Sequence, residues 1–154
     1  MNSATNILAA IRAAALDPLI GWKHETVPVP EWGDVQVIVR EPLQGDRGFW
    51  LEQLVAAAGV EPGDDEETRK TKFEHVAPNL QMESQARLFV RVVFVQSDGG
   101  PVRRAFNDDD VQAVAAVYGA VHDRLVAKAV ELGNLAVDPI ADGKNDSAET
   151  QVSV

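Results

Sequence analysis

Few of the residue types that perform catalytic or metal chemistry occur in this sequence of 154 residues. It contains no cysteine, which excludes disulfides, thiolate nucleophiles and cysteine-based metal sites. The three histidines, His24, His75 and His122, lie in separate segments, and no two have the four-residue spacing of a zinc-binding helix. We therefore expect each histidine to be structural or to lie on the surface.

Three consecutive carboxylates, Asp108, Asp109 and Asp110, are the other candidates for chemistry, because carboxylate oxygens bind Ca²⁺ and Mg²⁺. Neighbouring residues of a helix point about 100° apart, so three in a row do not converge on one ion. After Asn107 they fit a helix N-terminus, where asparagine caps the backbone and acidic groups are favoured. We therefore expect a helix cap, no cofactor or metal, and no enzymatic activity, with a cation-dependent enzyme as the weakest alternative.

The charge balance restricts the kinds of partner. Fourteen Lys and Arg residues against 24 Asp and Glu residues give a net charge of −10. An acidic surface repels phosphate backbones and anionic lipids, so binding of nucleic acid or membrane is not expected. No apolar run approaches the roughly 18 residues of a membrane span, and the apolar N-terminal stretch lacks the basic start of a signal peptide. The protein is therefore not expected to be secreted.

The elements that would position these residues follow from hydrophobic spacing. Apolar residues at helical spacing predict an amphipathic helix over residues 6–16, which ends at Asp17 and Pro18. Two β-rich runs, residues 24–30 and 34–40, predict a hairpin with its turn at Gly33. Pro28 cannot donate to a β-ladder, which places the first strand at a sheet edge.

The middle of the chain alternates helical and β-rich patterns. Residues 46–58 predict a helix that Gly59 ends, followed by a lightly packed, charged surface helix at residues 66–70. The apolar, β-branched run from Leu88 to Val95 favours a buried strand, although a helix that begins near Asn79 is the alternative. The turn at residues 97–100 then predicts a hairpin with residues 101–106.

A long amphipathic helix is predicted over residues 108–132, with Gly133 as its cap, and a polar, acidic, disordered tail over residues 136–154. The expected fold is a single α+β domain, residues 1–135, that is predominantly helical. A small antiparallel sheet from residues 25–40 and 87–106 would be covered by the helices near 6–16, 46–58 and 108–132.

Aromatic residues are concentrated in the first third of the chain. Phe49 and Trp50 are expected in the core beneath the first hairpin, whereas Trp32 lies at a turn and is the aromatic residue most expected to be exposed. Large aromatic side chains often anchor protein interfaces. The candidate partner-binding residues are Trp32, Trp22, Val35 and Val37.

Several ordered motifs resemble those of the tail assembly chaperones of long-tailed bacteriophages. The segment Pro30-Glu31-Trp32-Gly33 and its valine-rich strand match the opening motif of that family. The segment Ser97-Asp98-Gly99-Gly100 is similar to its Asp-Gly turn. Phe106-Asn107-Asp108-Asp109-Asp110-Val111 and Leu132-Gly133-Asn134-Leu135 are similar to the start and end of its long helix, with the Asn-Gly pair inverted. The resemblance covers residues 6–135.

This resemblance implies a non-enzymatic chaperone that binds the long, helical tape measure protein, keeps it soluble and recruits subunits of the major tail (tube) protein. It also implies a frameshift-extended form of the chain, and action in the cytoplasm of the bacterial host rather than in the mature virion. A different hypothesis is an acidic adaptor domain that binds an extended peptide by adding it to the exposed first strand.

Overall fold

The structure is a computed structural model that describes residues 3–135. The described residues form six helices: α1 (Ser3–Leu16), α2 (Gln44–Ala58), α3 (Glu66–Glu74), α4 (Pro78–Val92), α5 (Val111–Val117) and α6 (Ala120–Leu132). They also form four strands: β1 (His24–Val29), β2 (Val35–Arg40), β3 (Val93–Gln96) and β4 (Val102–Arg104). The predicted α+β class with a helical majority is confirmed. The predicted tail, residues 136–154, lies outside the described residues.

The four strands form one antiparallel sheet in the order β1-β2-β3-β4. The predicted hairpin is confirmed, because His24 pairs with Arg40 at one end and Val29 pairs with Val35 at the other. Gly33, with φ of 77°, makes the left-handed turn between these strands, a backbone conformation that glycine adopts without steric cost. β1 is an edge strand, as predicted from Pro28.

The predicted strand from Leu88 to Val95 is wrong over its first half, because α4 continues to Val92 and only Val93–Gln96 is extended. The reason is the composition of the run, in which Arg91 is the only polar residue between Leu88 and Val95. This end of α4 is mostly buried against the neighbouring elements, so it shows no polar face from which a helical period could be recognised. The predicted hairpin of β3 with β4 is confirmed.

The main core lies between one face of the sheet and helices α4 and α6. It is formed by fully buried side chains such as Val39, Phe89, Val93 and Leu125, and it extends to Trp50 on α2. The opposite face of the sheet carries a much smaller cluster of Leu19, Ile38 and Phe94. Helix α2 ends at Gly59 as predicted, and α3 buries none of its residues.

Helix α1 forms where it is predicted but does not pack on the sheet as expected, since no residue of α1 is buried. Both apolar faces of the sheet are already covered. Helices α4 and α6 fill one face, and Leu19, in the loop after α1, covers Ile38 and Phe94 on the other. The apolar centre of the sheet is therefore occupied without any contribution from α1.

The long helix predicted over residues 108–132 is interrupted. A 3₁₀ turn at Asp108–Asp110 leads into α5, and the backbone is extended at Gly119 before α6 begins. Glycine weakens helices and supplies this extended cap position. The predicted cap at Asn107 is confirmed: its side chain accepts a hydrogen bond from Asp109 N (2.9 Å), and its own N–H donates to Asp110 (2.8 Å).

Helix α6 ends differently from the expected glycine cap. Asn134, with φ of 54°, takes the left-handed position, whereas Gly133 is right-handed. The N–H of Leu135 donates to the carbonyl of Val130 (2.9 Å), which closes the helix. Gly133 has a different role, since a Cβ atom there would lie 3.2 Å from Cδ of Pro42. Close approach of Pro42 therefore leaves little room for a side chain at 133, and asparagine accommodates the turn at 134.

Candidate interaction surface

Exposed apolar side chains are concentrated in one short segment of the described chain. Within residues 3–135, nine large hydrophobic side chains are exposed, and six of them lie between residues 7 and 22, at 43% to 72% exposure. These six are Ile7, Leu8, Ile11, Leu16, Ile20 and Trp22. Exposed apolar side chains that cluster in one segment of a highly charged protein favour an interaction site there. We call these six side chains the N-terminal apolar strip.

Most of this strip is presented by α1, a helix of 14 residues and therefore about 21 Å long. Ile7, Leu8 and Ile11 have the three- and four-residue spacing that places side chains on one helix face. The only charged residue of α1 is Arg12, and six of its residues are alanine. The helix is thus apolar over nearly its whole surface, with a central ridge of three branched side chains.

The base of α1 is attached to the sheet by specific contacts. Asp17 accepts hydrogen bonds from the N–H groups of Leu19 (2.7 Å) and Ile20 (3.0 Å), which lowers the pKa of its carboxyl. The guanidinium of Arg40 donates to the carbonyl oxygen of Pro18 over 3.0 Å. Since Leu19 is also buried on Ile38, the loop after α1 is fixed although α1 itself buries nothing.

Arg40 belongs to a chain of alternating charges that crosses the domain. Asp46 accepts hydrogen bonds from Arg40 (2.9 Å) and Arg91 (3.3 Å), and Arg91 in turn donates two to Asp108 (2.8 and 2.9 Å). Asp108 also accepts from Arg104 (2.9 Å). Hydrogen bonds from Arg91, and then from Arg104, lower the pKa of Asp108, whereas burial lowers that of Arg40 against the attraction of Asp46. These pairs connect β2, α2, α4 and β4.

The structure does not bring the four predicted partner-binding residues together. Trp22 and Val35 are exposed (43% and 45%), but they lie at opposite ends of the β1–β2 hairpin, roughly 16 Å apart along five strand residues. Val37 is a core residue with 4% exposure, so it is not available to a partner. Of the four, only Trp22 belongs to the N-terminal apolar strip.

Trp32 is half-buried rather than exposed at its turn. Its ring contacts Phe89 edge-on (6.4 Å between centroids) and lies 5.4 Å from His122, which also stacks on Tyr118 at 5.2 Å. These partners come from α4 and from the α5–α6 junction, so no local pattern around Trp32 indicates them. Nδ1 of His122 accepts a hydrogen bond from the N–H of Gly119 (3.0 Å), and burial lowers the pKa of this imidazole.

A cleft of about 730 Å³ lies between α2, α3, α4 and the start of α6. Leu54, Phe73, Met82 and Tyr118 supply apolar walls, while Lys70, Glu74 and Asp123 supply charged side chains. Gly119, where the chain breaks between α5 and α6, is one of its lining residues. No local pattern indicates this cleft, since its walls come from four separate elements. The one signal is Gly119, a glycine within the apolar stripe of the predicted last helix, which marks the break.

The candidate chemical residues are engaged in contacts within the fold. Asp108 is engaged by Arg91 and Asp110 by the backbone of Asn107, while His24 and His75 bond to the nearby carbonyls of Trp22 (2.8 Å) and Thr71 (2.7 Å). Across residues 3–135, no cluster of three or more histidine or acidic side chains is arranged to hold a metal ion. No helix in that range has the length and apolar character needed to span a membrane.

Comparison with known proteins supports the family that the motifs resemble. A family model described as "Phage tail assembly chaperone" matches residues 10–151. Among solved structures, the chain is similar to the tail assembly chaperone of bacteriophage HK97, with 27% sequence identity and a TM-score of 0.51, over 80% of this chain and 96% of that one. No curated protein matches. Because the family model spans most of its length, the chain belongs to the phage tail assembly chaperone family.

Proposed function

We propose that this protein is a non-enzymatic chaperone that binds the tape measure protein, keeps it soluble and recruits subunits of the major tail protein during assembly of the phage tail. It would act in the cytoplasm of the bacterial host and be absent from the mature virion. The observation that carries this proposal, beyond the family, is the N-terminal apolar strip on a chain with a net charge of −10.

These two properties suit a chaperone for an apolar client. An exposed apolar strip provides contact area, which contributes roughly 25 cal/mol for each Å² removed from water. Net charge keeps the complex in solution, because like-charged particles repel one another and do not aggregate. A chaperone that lacked either property would release its client or precipitate with it.

We further propose that residues 1–135 form the chaperone domain and that residues 136–154 are a separate tail. A frameshift-extended form of the chain would add a segment that contacts the tail tube protein. The charged side chains of Asp108 and Asp110 serve the fold through Arg91 and Asn107, which is consistent with a protein that has no catalytic centre.

Co-expression with the tape measure protein encoded by the same phage tests the proposal. We expect the tape measure protein to precipitate alone, and to remain soluble and copurify when this chain is present. A chain that ends at Leu135 should hold the client equally well. A client that stays insoluble beside the soluble chain, both with and without the frameshift-extended form, would contradict the proposal.

The adaptor hypothesis is tested by a separate measurement, in which short segments of the tape measure protein are the probes. β1 is an edge strand, which favours addition of an extended peptide, but Pro28 removes one backbone donor from this strand. If short extended peptides of the tape measure protein bind at β1 and its helical segments do not, the adaptor function replaces the chaperone function.

A further inference from the structure

We propose that α1 is the client-binding arm of the chaperone, and that its ridge of Ile7, Leu8 and Ile11 packs lengthwise against an apolar stripe on a helix of the tape measure protein. This inference rests on the proposed function and adds two things to it: the surface that makes the contact, and the helical form of the client segment.

The shape of α1 determines the form of the partner. Side chains that protrude at three- and four-residue spacing fit the grooves of another helix and do not match the two-residue period of a strand. At the helical spacing of about 100° per residue, Ala4, Ala14 and Ala15 lie on the same face of α1 as the ridge. Small flanking residues let the axes of two helices approach closely. Leu16, the last residue of the helix, is also exposed, as are Ile20 and Trp22 in the loop after it.

The attachment of α1 makes it suitable as an arm. Its base is fixed by the hydrogen bond from Arg40 to Pro18 (3.0 Å) and by the burial of Leu19. A segment that is already helical and already oriented loses less conformational entropy on binding than a disordered one. The apolar ridge is unused by the domain itself, since no residue of α1 is buried.

Charge distinguishes the client from a second copy of the chain as the occupant. Each copy carries a net charge of −10, so pairing two copies through α1 brings two strongly acidic bodies together. Between Ser3 and Leu16 there is no acidic residue, and Arg12 is the only charge. The complementary partner is therefore an apolar helical stripe with a carboxylate opposite Arg12, on a protein that does not share the net charge of this chain.

The double variant Ile7→Gln, Ile11→Gln tests the ridge. Glutamine is a good helix former, so α1 is retained while its apolar surface is lost. With the co-expressed tape measure protein, we expect the amount of copurified client per chain to fall about tenfold or more. The matched control is Val117→Gln, which removes an exposed apolar side chain (69%) outside the strip and should leave copurification unchanged.

Arg12→Glu is a second, independent variant, and we expect it to reduce copurification by about two- to fivefold, the effect of one exposed ion pair. Circular dichroism and urea unfolding should show all three variants folded as the wild type, because the changed residues are exposed.

Three results overturn the proposal, and they are distinguishable. If the double variant retains the client as the wild type does, α1 is not the arm, but the proposed function stands. If the double variant changes the molecular mass of the free protein and leaves client binding intact, the ridge contacts a second copy instead. If the wild-type chain itself fails to hold the client, the proposed function fails and α1 has no client to bind.

Discussion

Arg40 and Asp46 form an ion pair in which Nη2 lies 2.9 Å from Oδ2 and each side chain is only 7% exposed. Asp46 also accepts a hydrogen bond from the N–H of Leu43 (2.9 Å), and Arg40 stacks over the ring of Phe94, 4.6 Å from its centroid. The pair therefore joins the start of α2 to the last residue of β2. Through Pro18 it also holds the loop that carries α1.

We predict that Asp46→Ala destabilises the domain by about 3–5 kcal/mol, because it leaves the Arg40 guanidinium buried without its counter-charge. The double variant Arg40→Met, Asp46→Leu should recover most of that loss, since no charge is then buried. Urea unfolding followed by circular dichroism measures both values. Equal stability of Asp46→Ala and the wild type would show that the pair is already hydrated in solution.

Alanine variants of two tryptophans should distinguish residues that bind the client from residues that stabilise the fold. Trp32→Ala should cost roughly 2–3 kcal/mol of unfolding free energy, because Trp32 packs on Phe89 and His122, and should leave client binding per folded molecule unchanged. Trp22→Ala should change the free energy of unfolding by less than about 0.5 kcal/mol, but it should reduce the amount of client that copurifies. The reverse pattern would show that the half-buried Trp32 is the contact residue, as the sequence alone suggested.

Stability should depend on the protonation of His122. Burial lowers its pKa below the ordinary value of 6.5, and protonation would remove the Nδ1 acceptor for the N–H of Gly119. Between the lowered pKa and 6.5 the unfolded chain binds more protons, so this group stabilises the fold fully above 6.5 and loses that contribution as the pH falls through this window.

His122→Gln keeps an acceptor at this position without a titrating ring. We expect the wild type to lose more unfolding free energy than His122→Gln when urea titrations at pH 7.5 and pH 5 are compared. Asp123 and the neighbouring pair of Glu31 and Arg124 are present in both proteins, so the difference between the two pH dependences reports on His122. An equal loss of unfolding free energy in both proteins would contradict a role of His122 in the pH dependence.

The end of α6 offers a backbone test. Asn134→Ala should destabilise the domain by about 1 kcal/mol, because alanine is strained at a φ of 54°, whereas Asn134→Gly should be neutral or slightly stabilising. Gly133→Ala should also destabilise, for the different reason that its Cβ presses on Pro42. Thermal unfolding of the three variants checks this assignment, and equal melting temperatures would refute it.

Local signals predicted the elements that depend on neighbouring residues. The β1–β2 hairpin followed from alternation and Pro28, the cap at Asn107 from its side chain, and the end of α2 from Gly59. The helical state of the last five residues of α4, Leu88–Val92, did not follow, because Arg91 is the only polar residue among them and the run shows no helical period. Val93 changes from helix to strand with no break in apolar character, so nothing in the run marks the boundary.

The candidate surface was only partly predictable, since exposure depends on what the rest of the fold covers. Residues 6–16 have the pattern of a helix that packs on a core. However, α1 does not join the core, because α6 covers one face of the sheet and Leu19 covers the other. Trp32 has the position of an exposed turn residue, yet Phe89 and His122 cover it from distant segments. The walls of the cleft come from four elements and have no signature within any one of them.

The absence of buried residues in α1 also bears on how this chain can change over generations. Substitutions in a protein core are restricted because the free energy of unfolding of a domain is small, and a single core substitution can remove a large part of it. A helix that contributes nothing to that stability escapes this restriction, so its sequence is free to follow changes in another gene. Selection on recognition and selection on folding would then act on different residues of the same small protein.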